Sequence, residues 1–173
     1  MPLPPHHLRA SSRSRDLVYE LANDLVALHR QPDKAERPTA DAVAELREAV
    51  IVRRKPGKGT DPGRTGPVYY AGDPGTLAVP TGRLFVRLKS GLRVASKKTA
   101  FARAGYEIVE TPSYAPNAAW LAPAGGTIAE ALANIEHVER IPGVVNVEPQ
   151  LLQQRVAKEA RRRSQSAPRA RSS

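Results

Sequence analysis

Gly82-Arg83-Leu84-Phe85-Val86-Arg87-Leu88 decides how this chain is read. Leu84, Val86 and Leu88 alternate with other positions at the period of a strand that buries one face. Residues 94–104 are Ala-rich, with Ala100, Phe101 and Ala104 at helical spacing and Gly105 as a stop. Tyr106 to Glu110 reads as a second strand. Thr111-Pro112-Ser113-Tyr114-Ala115-Pro116-Asn117 reads as a loop, because two prolines break any ladder. Ala118-Ala119-Trp120-Leu121-Ala122 is a third strand, closed by Pro123 and the pair Gly125-Gly126. Thr127-Ile128-Ala129-Glu130 has the spacing of a capping box, and Ile128, Ala131, Leu132, Ile135 and Val138 form an apolar stripe behind it. Pro142-Gly143 ends that helix, and Val144-Val145-Asn146-Val147-Glu148 is a fourth strand stopped by Pro149. The order strand, helix, strand, strand, helix, strand predicts the α+β class. Its form is a ferredoxin-like βαββαβ antiparallel sheet with two helices on one face and the other face free.

Outward from this unit the signals weaken. Leu17, Val18, Leu21, Leu25 and Leu28 recur at helical spacing after Ser14, a capping residue, and Pro32 ends the run. A second helix is expected from Thr39, with Val43, Leu46 and Val50 as its stripe; the alternative at its end is that Val50-Ile51-Val52 turns into a short strand. Residues 56–80 hold five prolines and six glycines, a density that forbids a helix and favours turns. Within them Val68-Tyr69-Tyr70 is a candidate short strand and Gly72-Asp73-Pro74-Gly75 a tight turn. The expected organisation is a disordered basic tail over 1–13, a helical appendage over 14–52 and a Pro/Gly-rich connector over 53–80. The main domain follows over 81–156, then a disordered basic tail over 157–173.

The chain has 173 residues and a net charge of +10, but the charge is local. Arginines and lysines in 1–15, 53–64 and 161–173 more than account for it, and the remainder is slightly acidic. A nucleic-acid footprint is usually clustered on a folded element or interleaved with aromatics, and neither tail contains an aromatic. Weak polyanion binding by the tails is the expectation that remains. Of the 40% hydrophobic residues 26 are alanine and aromatics reach 5%, which suffices for one modest core. No run approaches the length of a membrane-spanning helix. Residues 1–15 lack the apolar stretch of a secretory signal, so the chain reads as cytoplasmic, with export alongside a partner left open.

Catalytic and metal chemistry is sparse. There is no cysteine, which removes thiol nucleophiles, disulfides and Cys-based zinc sites. His6 and His7 fall in the N-terminal tail; His29 and His137 fall near the ends of expected helices. None stands beside a nucleophile and an orienting group. Gly57-Lys58-Gly59-Thr60 lacks the first glycine and the strand–helix context of a phosphate loop. Trp120 is read as a core or partly buried sheet residue, while Phe85 and Tyr106 are candidates for the open sheet face. An RNA-recognition module would place stacking aromatics and bases together on its central strands, and that alternation is missing. The expectation is no catalytic residue, no metal site and no cofactor.

Over Gly82–Gln154 the sequence resembles the propeptide domain of subtilisin-like serine proteases, the inhibitor I9 type and its fervidolysin-like relatives. The likeness rests on Gly82 to Leu88, Gly105-Tyr106-Glu107-Ile108-Val109 and Pro116-Asn117-Ala118-Ala119-Trp120-Leu121. Most telling is Ile141-Pro142-Gly143-Val144-Val145-Asn146-Val147-Glu148-Pro149. The resemblance implies a non-enzymatic inhibitor and intramolecular chaperone whose partner is a subtilisin-like serine protease, encoded separately because no catalytic signatures follow. It implies that the open sheet face packs on two helices of the protease. Glu148 and Gln150 would cap helix N-termini there, where orphan amides favour negative charge. Leu151, Leu152, Gln153, Gln154, Arg155 and Val156 would lie in the cleft as an added strand. The alternative reading is a ferredoxin-like interaction or regulatory domain whose basic tails contact anionic partners such as nucleic acid.

Overall fold

The computed structural model describes residues 3–14, 17–29, 42–46, 50–54, 65–72 and 76–153. They form a mixed α+β structure, mostly antiparallel sheet. The spine is β8, Leu77–Leu88, and its neighbours change along its length. Its second half lies between β10, Ala118–Pro123, and β11, Val144–Gln153. β10 pairs in turn with β9, Tyr106–Glu110, giving the local order β11-β8-β10-β9. Between β8 and β9 come a 3-10 turn, Val94–Lys97, and α1, Lys98–Arg103. Between β10 and β11 come α2, Ile128–Ala133, and α3, Ile135–Glu139.

All these helices sit on one face. Leu84, Val86 and Leu88 point toward them and share a core with Phe101, Ala104, Tyr106, Leu121, Val138 and Val147. The capping box is formed: the Thr127 N–H donates to Glu130 Oε2 at 2.6 Å, and the Glu130 N–H donates to Thr127 Oγ1 at 3.2 Å. The expected single helix breaks at Asn134, whose N–H closes one helix and whose backbone caps the next. Among the described residues no helix is long and apolar enough to cross a membrane.

The N-terminal third departs from expectation. The helical appendage over 14–52 is instead strand: β2, Val18–Leu21, β3, Leu25–His29, β4, Ala42–Leu46, and β5, Val50–Arg54. Residues 30–41 and 47–49 lie outside the described residues. The leucine spacing matched a helix, but Leu17 and Val18 are exposed while Tyr19 and Ala22 are buried. Asn23-Asp24, good turn residues, separate β2 from β3. Ala-rich β4 is carried by pairing with β5, tertiary context overriding propensity.

The expected disordered tail over 1–13 is corrected too. His7–Arg9 forms β1, paired with β2, because Leu8 finds a buried place against Tyr19, Tyr69 and Leu132. The connector contains β6, Thr65–Gly66, and β7, Tyr69–Tyr70, and β8 starts at Leu77. β7 joins β2 to the first half of β8. β3, β4, β5 and β6 make a second sheet in the order β4-β5-β3-β6. It packs on the face of β8 that carries Leu77 and Val79, burying Leu25, Ala27, Leu46 and Val52. The expected turn at Gly72-Asp73-Pro74-Gly75 and the tail over 157–173 fall largely or wholly outside the described residues.

Two irregularities reconcile the halves of β8. Leu84 faces Pro149 and Pro80 faces Leu151, so β8 carries two more residues than β11 between these pairs. Gly82 sits in this bulge at φ +83°, and a Cβ there would meet Pro123 Cγ at 3.1 Å. Pro149 does not stop the strand, contrary to expectation. β11 pairs only with β8 among the described strands, and an edge strand tolerates a residue without an N–H.

Candidate functional site

Four neighbouring strands each place one residue in a single row across the sheet. Glu110 of β9 is opposite Trp120 of β10, Trp120 is opposite Phe85 of β8, and Phe85 is opposite Glu148 of β11. The order follows from alternation: with Leu84 and Val86 turned to the helices, Phe85 must point to the other face. The Phe85 and Trp120 rings lie 5.2 Å apart at 58°, a tilted aromatic pair. A carboxylate stands at each end of it.

The loop from Thr111 to Asn117 forms a wall beside this row. Asn117 anchors its end, donating from Nδ2 to the Leu88 carbonyl at 3.0 Å, and the Val94 N–H holds the Pro116 carbonyl at 3.0 Å. Tyr114 at the tip is 89% exposed. Row and loop enclose a shallow cavity of about 490 Å3, lined by Phe85, Trp120, Glu110, Glu148 and residues Thr111 to Tyr114.

Glu148 is oriented from below. Asn146 Nδ2 donates to Glu148 Oε1 at 2.5 Å, and Asn146 Oδ1 accepts from the hydroxyls of Ser11 at 2.6 Å and Ser12 at 3.2 Å. Ser12 also brackets Val147: its N–H donates to the Val147 carbonyl, and its Oγ accepts from the Val147 N–H, both at 2.9 Å. The N-terminal segment thus closes the outer edge of β11. Arg9 adds an exposed ion pair to Glu139 at 3.3 Å.

The residues singled out by sequence are dispersed. Glu148 lies in the row. Gln150 does not; it accepts a hydrogen bond from Thr81 Oγ1 at 2.8 Å, opposite the bulge. Leu151, Leu152 and Gln153 are paired with Pro80, Val79 and Ala78, and Leu152 packs against the core of the second sheet. Gln153 donates from Nε2 to the Tyr19 hydroxyl at 2.9 Å. Gln154, Arg155 and Val156 lie outside the described residues. Tyr106, a candidate for the open face, points the other way. It is buried in the helix-side core, burial pushes its phenol above the ordinary range, and its hydroxyl donates to the Ala131 carbonyl at 2.6 Å.

Sequence reasoning missed Glu110 and Tyr114. A loop bounded by prolines beside an outward tryptophan is the signal that points to them. The pairing of Glu110 with Trp120 also depends on the irregularity between Trp120 and Leu121, which no local pattern announces.

Of the histidines, His29 is enclosed in β3. Its Nε2 is buried without a hydrogen-bond partner among the described residues, close to Gly66 and to Ile128 of α2. Burial lowers its pKa from 6.5. A neutral, packed imidazole fits that setting better than a proton shuttle. Scans against protein-family models, curated proteins and solved structures give no match to this chain.

Proposed function

We propose that this chain is a non-enzymatic, propeptide-like inhibitor or folding chaperone of a subtilisin-type serine protease. Its second half is read as a ferredoxin-like βαββαβ unit, and it docks through the open sheet face. The observation that carries this reading is the order β11-β8-β10-β9 with α1, α2 and α3 on one face, which leaves Phe85, Trp120 and Glu148 presented together on the other. Glu148 serves as the anion for helix N-termini of the protease, a contact of roughly 0.3–1 kcal/mol.

The sheet pairing of Leu151 to Gln153 moves the product-like element. Those residues of β11 are already paired with β8, so a cleft-binding strand starts after Gln153, with Gln154, Arg155 and Val156, or requires the end of β11 to peel away. The same pairing favours a second reading, an interaction or regulatory domain that binds by its open face alone. Titration of the purified chain against a panel of subtilisin-type proteases, read with a chromogenic peptide, separates the two. Saturable inhibition that competes with substrate is expected. Absence of inhibition across the panel, with the chain folded, overturns the protease reading.

A further inference from the structure

We infer that the row Glu110–Trp120–Phe85–Glu148 is a recognition site for an arginine side chain presented by a partner protein. Two aromatic rings occupy its middle, two carboxylates its ends, and Tyr114 stands on the adjoining wall. No basic residue lines the cavity among the described residues, and Arg87, two positions on from Phe85, lies outside it. Neither carboxylate has an ion-pair partner among the described residues; Glu148 is met by the neutral amide of Asn146. Arg83 and Arg87 flank Phe85 on the same face of β8 but form no ion pair with either glutamate, so two carboxylates beside an aromatic floor stand open to a cation.

A guanidinium fits better than an ammonium. It is planar and weakly hydrated, it stacks on aromatic faces, and it donates in a fork to carboxylates. The long-range field argues for a specific contact. The chain as a whole is strongly basic, so nonspecific attraction would bring acidic partners to its basic stretches, whereas this cavity is locally acidic. The occupant is assigned to another molecule because the row lies on the sheet face opposite the helices, and no arginine or lysine of the described chain lines the cavity. The inference does not depend on the protease reading. Glu148 serves both, while Glu110 belongs to this one.

Trp120 is the chain's single tryptophan, so its emission reports this site alone. The full chain is titrated with a blocked tri-arginine peptide and with the neutral tri-citrulline analogue of the same shape. Saturable change in emission with tri-arginine and none with tri-citrulline is expected. E110Q and E148Q, which keep side-chain size, each weaken the apparent affinity roughly two- to fivefold. E110K abolishes the response while leaving the circular dichroism unchanged. Equal responses to the two peptides, no response to either, or an unchanged affinity in the E110Q/E148Q double variant overturns the site. If R161Q/R162Q/R163Q in the full chain shifts the resting emission and raises the affinity for tri-arginine, the chain's own basic segment is the occupant, and the assignment to a partner falls. No protease enters this assay, so a chain that inhibits none can still pass it.

Discussion

One face of one strand is treated in two ways. Over Leu77 and Val79 that face of β8 is roofed by the second sheet, and the contacts are aliphatic and fully buried. Past the bulge at Gly82 the same face carries Phe85 and Arg87, and no described element covers it. The difference lies in what the residues can bury. Leu25, Ala27, Leu46 and Val52 have no polar group to satisfy and close into a dry core. Two glutamates flanking two aromatics cannot be roofed by aliphatic strands without stranding charge. The uncovered half is therefore adapted to a partner that brings its own positive charge.

The largest test asks whether the two halves stand or fall together. Leu77→Ala empties part of the roofed core and is expected to cost about 2–5 kcal/mol. If the halves form one cooperative unit, the denaturant midpoint read from Trp120 shifts with the midpoint read by circular dichroism. A Trp120 transition that stays put would show that the open half folds alone. Next comes Asn146→Ala, which leaves the hydroxyls of Ser11 and Ser12 and the carboxylate of Glu148 without their shared amide. A loss of about 1–3 kcal/mol is expected, together with faster proteolysis ahead of Val18. Unchanged cleavage would show that the β1–β2 pairing, Leu8 and the Ser12–Val147 bracket hold the N-terminal segment without Asn146.

Acid provides a gentler test, directed at the roofed half. His29 is held below its unfolded pKa of 6.5 by burial, so the folded state binds fewer protons than the unfolded state. Its contribution is flat above about pH 6.5, and stability falls as pH drops below that value through the lowered folded pKa. His29→Gln should flatten this part of the pH profile of the denaturant midpoint, and an identical profile in both proteins would remove His29 from the account. The smallest effect belongs to the open half. Tyr114→Ala alters a side chain that is 89% exposed and should change stability by less than about 0.5 kcal/mol. It should still weaken tri-arginine binding if the loop wall contributes to the site.

The two halves were unequally legible from sequence. Beyond Gly82 each element carries its own period, as with Leu84, Val86 and Leu88, or its own punctuation, as with Thr127 and Glu130. Ahead of it the strands run two to five residues and are held by non-local pairing, so leucines at helical spacing outweighed Tyr19 and the Asn23-Asp24 turn. The site was half legible for a related reason. Alternation gives the face of Phe85 and Trp120, but their alignment with Glu110 and Glu148 is a property of register, which arises only when strands far apart in sequence meet. The continuation of β11 past Pro149 was hidden because proline reads as a terminator unless its strand is known to be an edge.

The bracket that Ser12 makes around Val147 joins residues 135 apart in sequence. On a ribosome the N-terminal segment emerges first, yet its acceptor is in the last described strand, so this contact cannot form until nearly all of the described chain has been synthesised. Closing so long a loop is slow relative to forming the β8–α1–β9 neighbourhood. The edge of β11 consequently spends an interval unpaired after it forms, and its protection from another chain's strand depends on how soon the oldest part of the polypeptide returns to it.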